Sequence, residues 1–142
     1  SYTYKRIISK KILFIQSWVR QNMINDVYKI LTEDEWVKGK VSSKIITKLD
    51  LKDGFVHLSK ASQLNASLSL YFENEKRVVL LQIDKSKIKN NLKYEFSGKS
   101  INRHGKFPHF YGILDTNMIS KIWKLQRSAF CIPQEVLLQA EQ

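Results

Sequence analysis

The sequence predicts one compact α+β domain, built from a small mixed or antiparallel sheet and short helices. Three observations lead there. Its 142 residues suit a single hydrophobic core. A hydrophobic fraction of 43%, with 11% aromatic residues, excludes a disordered chain and supplies the mass of that core. Short strand-like runs alternate with short helix-like runs, and the helices are too few to cover both faces of a doubly wound sheet.

Residues 1–22 differ from the rest. They hold Lys5, Arg6, Lys10, Lys11 and Arg20 and no acid, with Ile8, Ile12, Ile15 and Val19 on one helical face. This predicts a basic amphipathic extension packed on a domain spanning 23–142. Such acid-free composition also suits organelle targeting or a membrane surface.

Val27-Tyr28-Lys29-Ile30-Leu31 alternates and predicts a strand, and Thr32-Glu33-Asp34-Glu35 supplies a capping box for a helix carrying Trp36 and closing at Gly39. Ile45 and Ile46 predict a brief extended piece. Asp53-Gly54 is a turn, followed by Phe55-Val56-His57-Leu58-Ser59 as a short strand. Ser59 or Ser62 is the expected N-cap of a helix with Leu64, Leu68 and Tyr71 on its buried face, a junction suited to an anionic ligand group.

The continuous apolar run 77–83 predicts a buried central strand, and Asp84 the cap of a short basic turn. Leu92-Lys93-Tyr94-Glu95-Phe96 alternates as another strand. In Phe107-Pro108-His109-Phe110-Tyr111-Gly112 the proline predicts an edge or loop piece. Residues 118–125, with Trp123, predict the last strand, and the chain after Pro133 a helix.

Several function classes are excluded by spacing. There is no Gly-rich phosphate loop with its lysine, no nucleophile elbow and no His-Glu-x-x-His. Cys131 alone makes neither a disulfide framework nor a Cys-rich zinc site, which points to a reducing, cytoplasmic setting, with organelle targeting through residues 1–22 as the alternative. His57, His104, His109 and Glu95 are zinc-ligand types at no recognised spacing, so no metal is expected. No run approaches the roughly 20 apolar residues of a membrane span. The net charge of +11 comes from lysines spread along the chain, which favours a solvated surface over a nucleic-acid footprint.

Three polar residues stand inside apolar sequence: His57 between Val56 and Leu58, Glu95 between Tyr94 and Phe96, and His109 between Pro108 and Phe110. Singly each reads as a satisfied structural residue. Together, beside aromatics, they point to a pocket, because an unpaired buried polar group costs about 1–3 kcal/mol.

Tyr28-Lys29-Ile30, Trp36, Leu49-Asp50, Asp53 to Ser59, Gln63, Tyr71-Phe72, Leu80-Leu81, Glu95 and Phe107 to Gly112 resemble the DUF952 family over roughly residues 27–125. The resemblance implies a fold similar to ADP-ribosyltransferases, which bind NAD in a cleft, and no proven activity. It carries over His57, Ser59, Gln63, Glu95, His109 and Tyr111. Lys60 and Ser62 depart from the family's threonine and acid and make the ligand mouth more basic.

On that resemblance the expected function is an enzyme that takes NAD and transfers ADP-ribose to an unidentified protein or nucleic-acid acceptor. His57 would hold the nicotinamide ribose and Ser59 order the strand beneath it. Tyr111 or Phe110 would stack on the ring, with Gln63 and His109 completing the binding set. Glu95 would favour an oxocarbenium-like transition state. The alternative is a non-catalytic module binding a nucleotide or RNA end in the same cleft.

Overall fold

The computed structural model describes residues 10–15, 26–97, 104–126 and 133–140, and it is a mixed α+β domain of small antiparallel sheets and few helices. Of the N-terminal segment expected as a helix, residues 10–15 are helical, with Ile12, Leu13, Phe14 and Ile15 exposed; the remainder lies outside the described residues.

The central sheet orders β1 (Val27–Thr32), β4 (Arg77–Ile83) and β8 (Ile119–Gln126), with β4 in the middle. Val27 pairs with Ile83 and Thr32 with Val78. Both faces of β1 and β4 are covered, which is why the 77–83 run is apolar without alternation. On one face Val27, Leu31, Val79, Leu81 and Ile83 pack with Trp36, Ile45, Val56 and Phe110. On the other Tyr28, Ile30, Val78 and Leu80 pack with Leu64, Leu68 and Val136 from two helices, α3 (Leu64–Tyr71) and α4 (Gln134–Ala140).

Helix α1 (Glu33–Ser42) starts at the expected capping box: the Glu35 amide donates to Thr32 Oγ1 at 3.2 Å, and the Thr32 amide to Glu35 Oε1 at 2.9 Å. It does not end at Gly39. That residue is buried inside the helix because a Cβ there would stand 2.6 Å from Ile45 Cδ1; the helix runs on until Ser43 turns left-handed at φ 62°.

The two remaining sheets are small. β2 (Lys44–Ile45) pairs with β7 (Leu114–Asp115), and β3 (Val56–His57) lies beside β6 (Phe107–Phe110), which lies beside β5 (Leu92–Glu95). Strand β6 is therefore central, contrary to the edge or loop position expected from Pro108. The reason is geometric. The Pro108 carbonyl accepts from the Leu58 amide at 3.1 Å, so its donorless nitrogen faces the flank where β3 has already ended, and its pairing with Tyr94 of β5 loses nothing.

The strand expected over 55–59 shrinks to two residues, with Ser59 joined instead to β1: the Tyr28 amide donates to the Ser59 carbonyl at 2.9 Å and the Ser59 amide to the Tyr28 carbonyl at 2.8 Å. Neither Ser59 nor Ser62 caps the following helix. A 3₁₀ turn, Ala61–Gln63, intervenes, and the Gln63 side chain takes the Lys60 amide at 3.0 Å.

Candidate functional site

A helix that periodicity does not reveal builds the site. Thr47 caps α2 (Lys48–Asp53) through the Asp50 amide at 3.2 Å, and Gly54, at φ 81°, closes it onto the Asp50 carbonyl at 2.9 Å. Asp50 and Asp53 are three residues apart and so share a helical face. Both reach His57 in the strand that follows: Nδ1 lies 2.7 Å from Asp50 Oδ1 and Nε2 2.8 Å from Asp53 Oδ2. Asp50 also accepts from the His57 amide at 3.0 Å and from Lys29 Nζ at 2.7 Å.

Lys29 is 4% exposed and Asp50 7%. Burial pulls the lysine below its ordinary pKa against the attraction of Asp50. Burial pushes Asp50 up, but hydrogen bonds from His57 and the Lys29 charge outweigh it and hold the carboxyl below its usual value. The ionised pair is favoured by its 2.7 Å contact, by the His57 amide on Asp50 at 3.0 Å and by the His57 carbonyl on Lys29 Nζ at 3.0 Å.

His57 and His109 are direct cross-strand partners and share one face, with ring centroids 5.8 Å apart. Glu95, across from Phe107 on β5, belongs to the same face. Its Oε2 lies 2.9 Å from His109 Nδ1, and the Tyr111 hydroxyl donates to Oε2 at 2.7 Å and Oε1 at 3.0 Å. Those hydrogen bonds, first from His109 and then from Tyr111, hold the Glu95 carboxyl below its ordinary value, and the same bond raises Tyr111. Phe55 knits the group together, stacked on His109 at 4.0 Å and tilted against His57 and Tyr111 at 4.5 and 5.4 Å.

Two adjoining cavities, of about 250 and 290 Å³, share a wall of Leu49, His57, Tyr71, Ser97 and His109. The first is also lined by Lys29, Ser59 and Phe107, the second by Asp53, Phe55, Glu95 and Phe96.

The expected site residues thus divide. His57, Glu95, His109 and Tyr111 come together. Ser59 lines the first cavity, but its hydroxyl pairs with Ser67 at 2.8 Å. Gln63 Nε2 donates to the His104 and Lys106 carbonyls, both at 2.9 Å, tying down the chain before β6 rather than facing the cavities. Phe110 alternates to the opposite face of β6 and is buried with Val56 in the core, so it offers no ring to a ligand. Among the described residues no cluster of His, Cys, Asp and Glu is arranged to hold a metal, and no helix is long and apolar enough to cross a membrane.

Sequence reasoning misses Lys29, Asp50, Asp53 and Phe55. One signal exists: Lys29 shares its strand face with Val27 and Leu31, and a cation on an apolar face needs a buried counter-ion.

Residues 30–122 match DUF952, described as a protein of unknown function. The chain belongs to the DUF952 family. The crystal structure of protein CC0527 from Caulobacter crescentus is similar to it at 31% identity and a TM-score of 0.66, covering 81% of this chain and 98% of that one. The solution NMR structure of CC0527 is similar at a TM-score of 0.62 over 78% and 92% of the two chains. No curated protein matches the chain. The DUF952 match takes in Lys29's neighbour Ile30 through Ile122, and so the whole wall of both cavities except Lys29 itself.

Proposed function

We propose that this DUF952 domain binds NAD or a related nucleotide in the His57–His109 cleft and transfers ADP-ribose to an acceptor. The likeness of its fold to ADP-ribosyltransferases belongs to the same proposal, as does a basic amphipathic N-terminal helix. The observation that supports it is a carboxylate, Glu95, at the wall of a cavity that also presents Phe55, Tyr71 and Phe96. Aromatic rings suit a flat heterocycle, and a fixed carboxylate suits positive charge developing on a ribose as a glycosidic bond breaks. Each cavity is just below the about 300–1,000 Å³ of drug-sized pockets, a volume for a nucleoside half rather than a whole dinucleotide. His57 Nε2 is bonded to Asp53, so a ribose contact there replaces the Asp53 bond.

Glu95→Gln tests it. The amide keeps shape but loses charge, so calorimetric affinity for NAD should stay within about threefold while nicotinamide release falls about 10²–10³-fold, the loss typical of one transition-state electrostatic partner. His57→Ala should weaken both. Equal loss of affinity in the two variants would make Glu95 a binding residue and end the catalytic assignment.

A second reading is favoured by the rim. Lys93 lies over the Tyr111 ring at 5.1 Å and Lys106 over Phe96 at 5.5 Å. Exposed aromatics beside lysines suit stacked bases and phosphates, hence a module that holds a nucleotide or RNA end without chemistry. Wild-type protein that binds NAD yet never releases nicotinamide would select it.

A further inference from the structure

His109 carries a polar atom that the reading above does not use. The residue is 2% exposed, its Nδ1 is taken by Glu95, and its Nε2 has no hydrogen-bond partner among the described residues. Its ring lines both cavities. A buried nitrogen left unpaired costs stability and calls for a reason.

The surroundings fix both the orientation and the tautomer of that ring. Phe55 stacks on it at 4.0 Å with planes 21° apart. The ionised Glu95 carboxylate can only accept, so the proton of a neutral imidazole sits on Nδ1 and the lone pair on Nε2. Tyr111 donates to both Glu95 oxygens and keeps the carboxylate in place. A carboxylate orienting an imidazole whose far nitrogen is bare is the arrangement of a general base.

We propose that His109, aligned by Glu95, takes a proton through Nε2 from water or from an acceptor hydroxyl, so that the site serves oxygen nucleophiles. Only the identity of the substrate rests on the NAD reading. With NAD, the nucleophile's oxygen bonds to C1′ of the nicotinamide ribose, the C1′–N bond breaks and its electron pair leaves with nicotinamide. The nucleophile's proton passes to Nε2 and on to solvent.

His109→Ala, azide and ring-nitrogen NMR test the proposal. The variant should release nicotinamide about 10²–10⁴-fold more slowly, the usual worth of a general base, with affinity for NAD within about twofold. Azide, an anionic nucleophile with no proton to lose, should restore release, and it should not restore it in His57→Ala. A variant that binds NAD poorly, or that is equally slow with azide, overturns the role. NMR of the wild-type protein decides independently of substrate and of whether the variant folds: Nδ1–H with a bare Nε2 supports the base, and Nε2–H overturns it. If wild-type protein releases no nicotinamide, the NAD reading falls, and the tautomer alone decides whether His109 stands as a base for another substrate.

Discussion

Asp50→Asn isolates the buried ion pair. The change is nearly isosteric, but it leaves the Lys29 ammonium, 4% exposed and formerly 2.7 Å from Asp50 Oδ2, without a counter-ion. Breaking a buried pair from one side costs about 3–5 kcal/mol. A domain of this size holds about 5–15 kcal/mol in total, so the loss is a large share. At about 3–4 °C per kcal/mol for this length, the Tm should fall on the order of 10–20 °C. The acid limb gives a second check. Asp50 titrates below its unfolded value, so its contribution is complete above about pH 4 and is lost as pH falls through the lower folded value. Urea denaturation at pH 7 and in a series below pH 4 measures both. The gap between wild type and variant should be widest at pH 7 and narrow in acid. A loss under about 1 kcal/mol at pH 7, or a gap that does not narrow in acid, would refute the reasoning that the pair is ionised and mutually dependent.

Gly39→Ala should lower stability by about 1 kcal/mol, since overpacking against Ile45 costs about 1–3 kcal/mol and exceeds the roughly 1 kcal/mol gained in helix propensity; adding Ile45→Val should recover part of it in the same denaturation assay. Gln63→Ala removes three hydrogen bonds of a buried side chain and should cost about 1–3 kcal/mol, with faster exchange of the Lys60 amide as the local signature. Tyr111→Phe removes one of the donors that depress Glu95, so the carboxyl's NMR titration midpoint should move up toward its ordinary value.

The elements legible in the sequence are those specified by neighbours in the chain. The capping box at Thr32, the apolar run of β4 and the alternation of β1 need only local chemistry. Helix α2 escapes because six residues hold too few turns for a period. The place of β6 escapes for another reason: whether Pro108 breaks a sheet depends on which flank its nitrogen faces, and that is fixed by β3 ending at His57. Within the site, His57, Glu95 and His109 are visible as polar residues in apolar sequence, and that signal is sound because each has a charged or ring partner. It cannot tell a ligand-facing group from a brace. Ser59 and Gln63 look the same on paper, and only Ser67 and the carbonyls of His104 and Lys106 reveal them as braces.

The seam between Tyr28 and Ser59 determines how the cleft can respond to an occupant. Strand β1 provides Tyr28 to that seam and, one residue on, Lys29 to the wall of the first cavity, while its other edge is zipped to β4 along its whole length. Backbone opening at the cleft breaks the two Tyr28–Ser59 hydrogen bonds, at 2.9 and 2.8 Å, and leaves the β1–β4 ladder on the other edge of the strand in place. An occupant that grips the His57 face then raises the melting point of the entire domain by mass action and slows amide exchange deep in β4, far from any atom it touches. Among the side chains on the wall of the second cavity, the exposed Phe96 is the one with room to adjust to the shape of an occupant, while Phe55 stays stacked against His109.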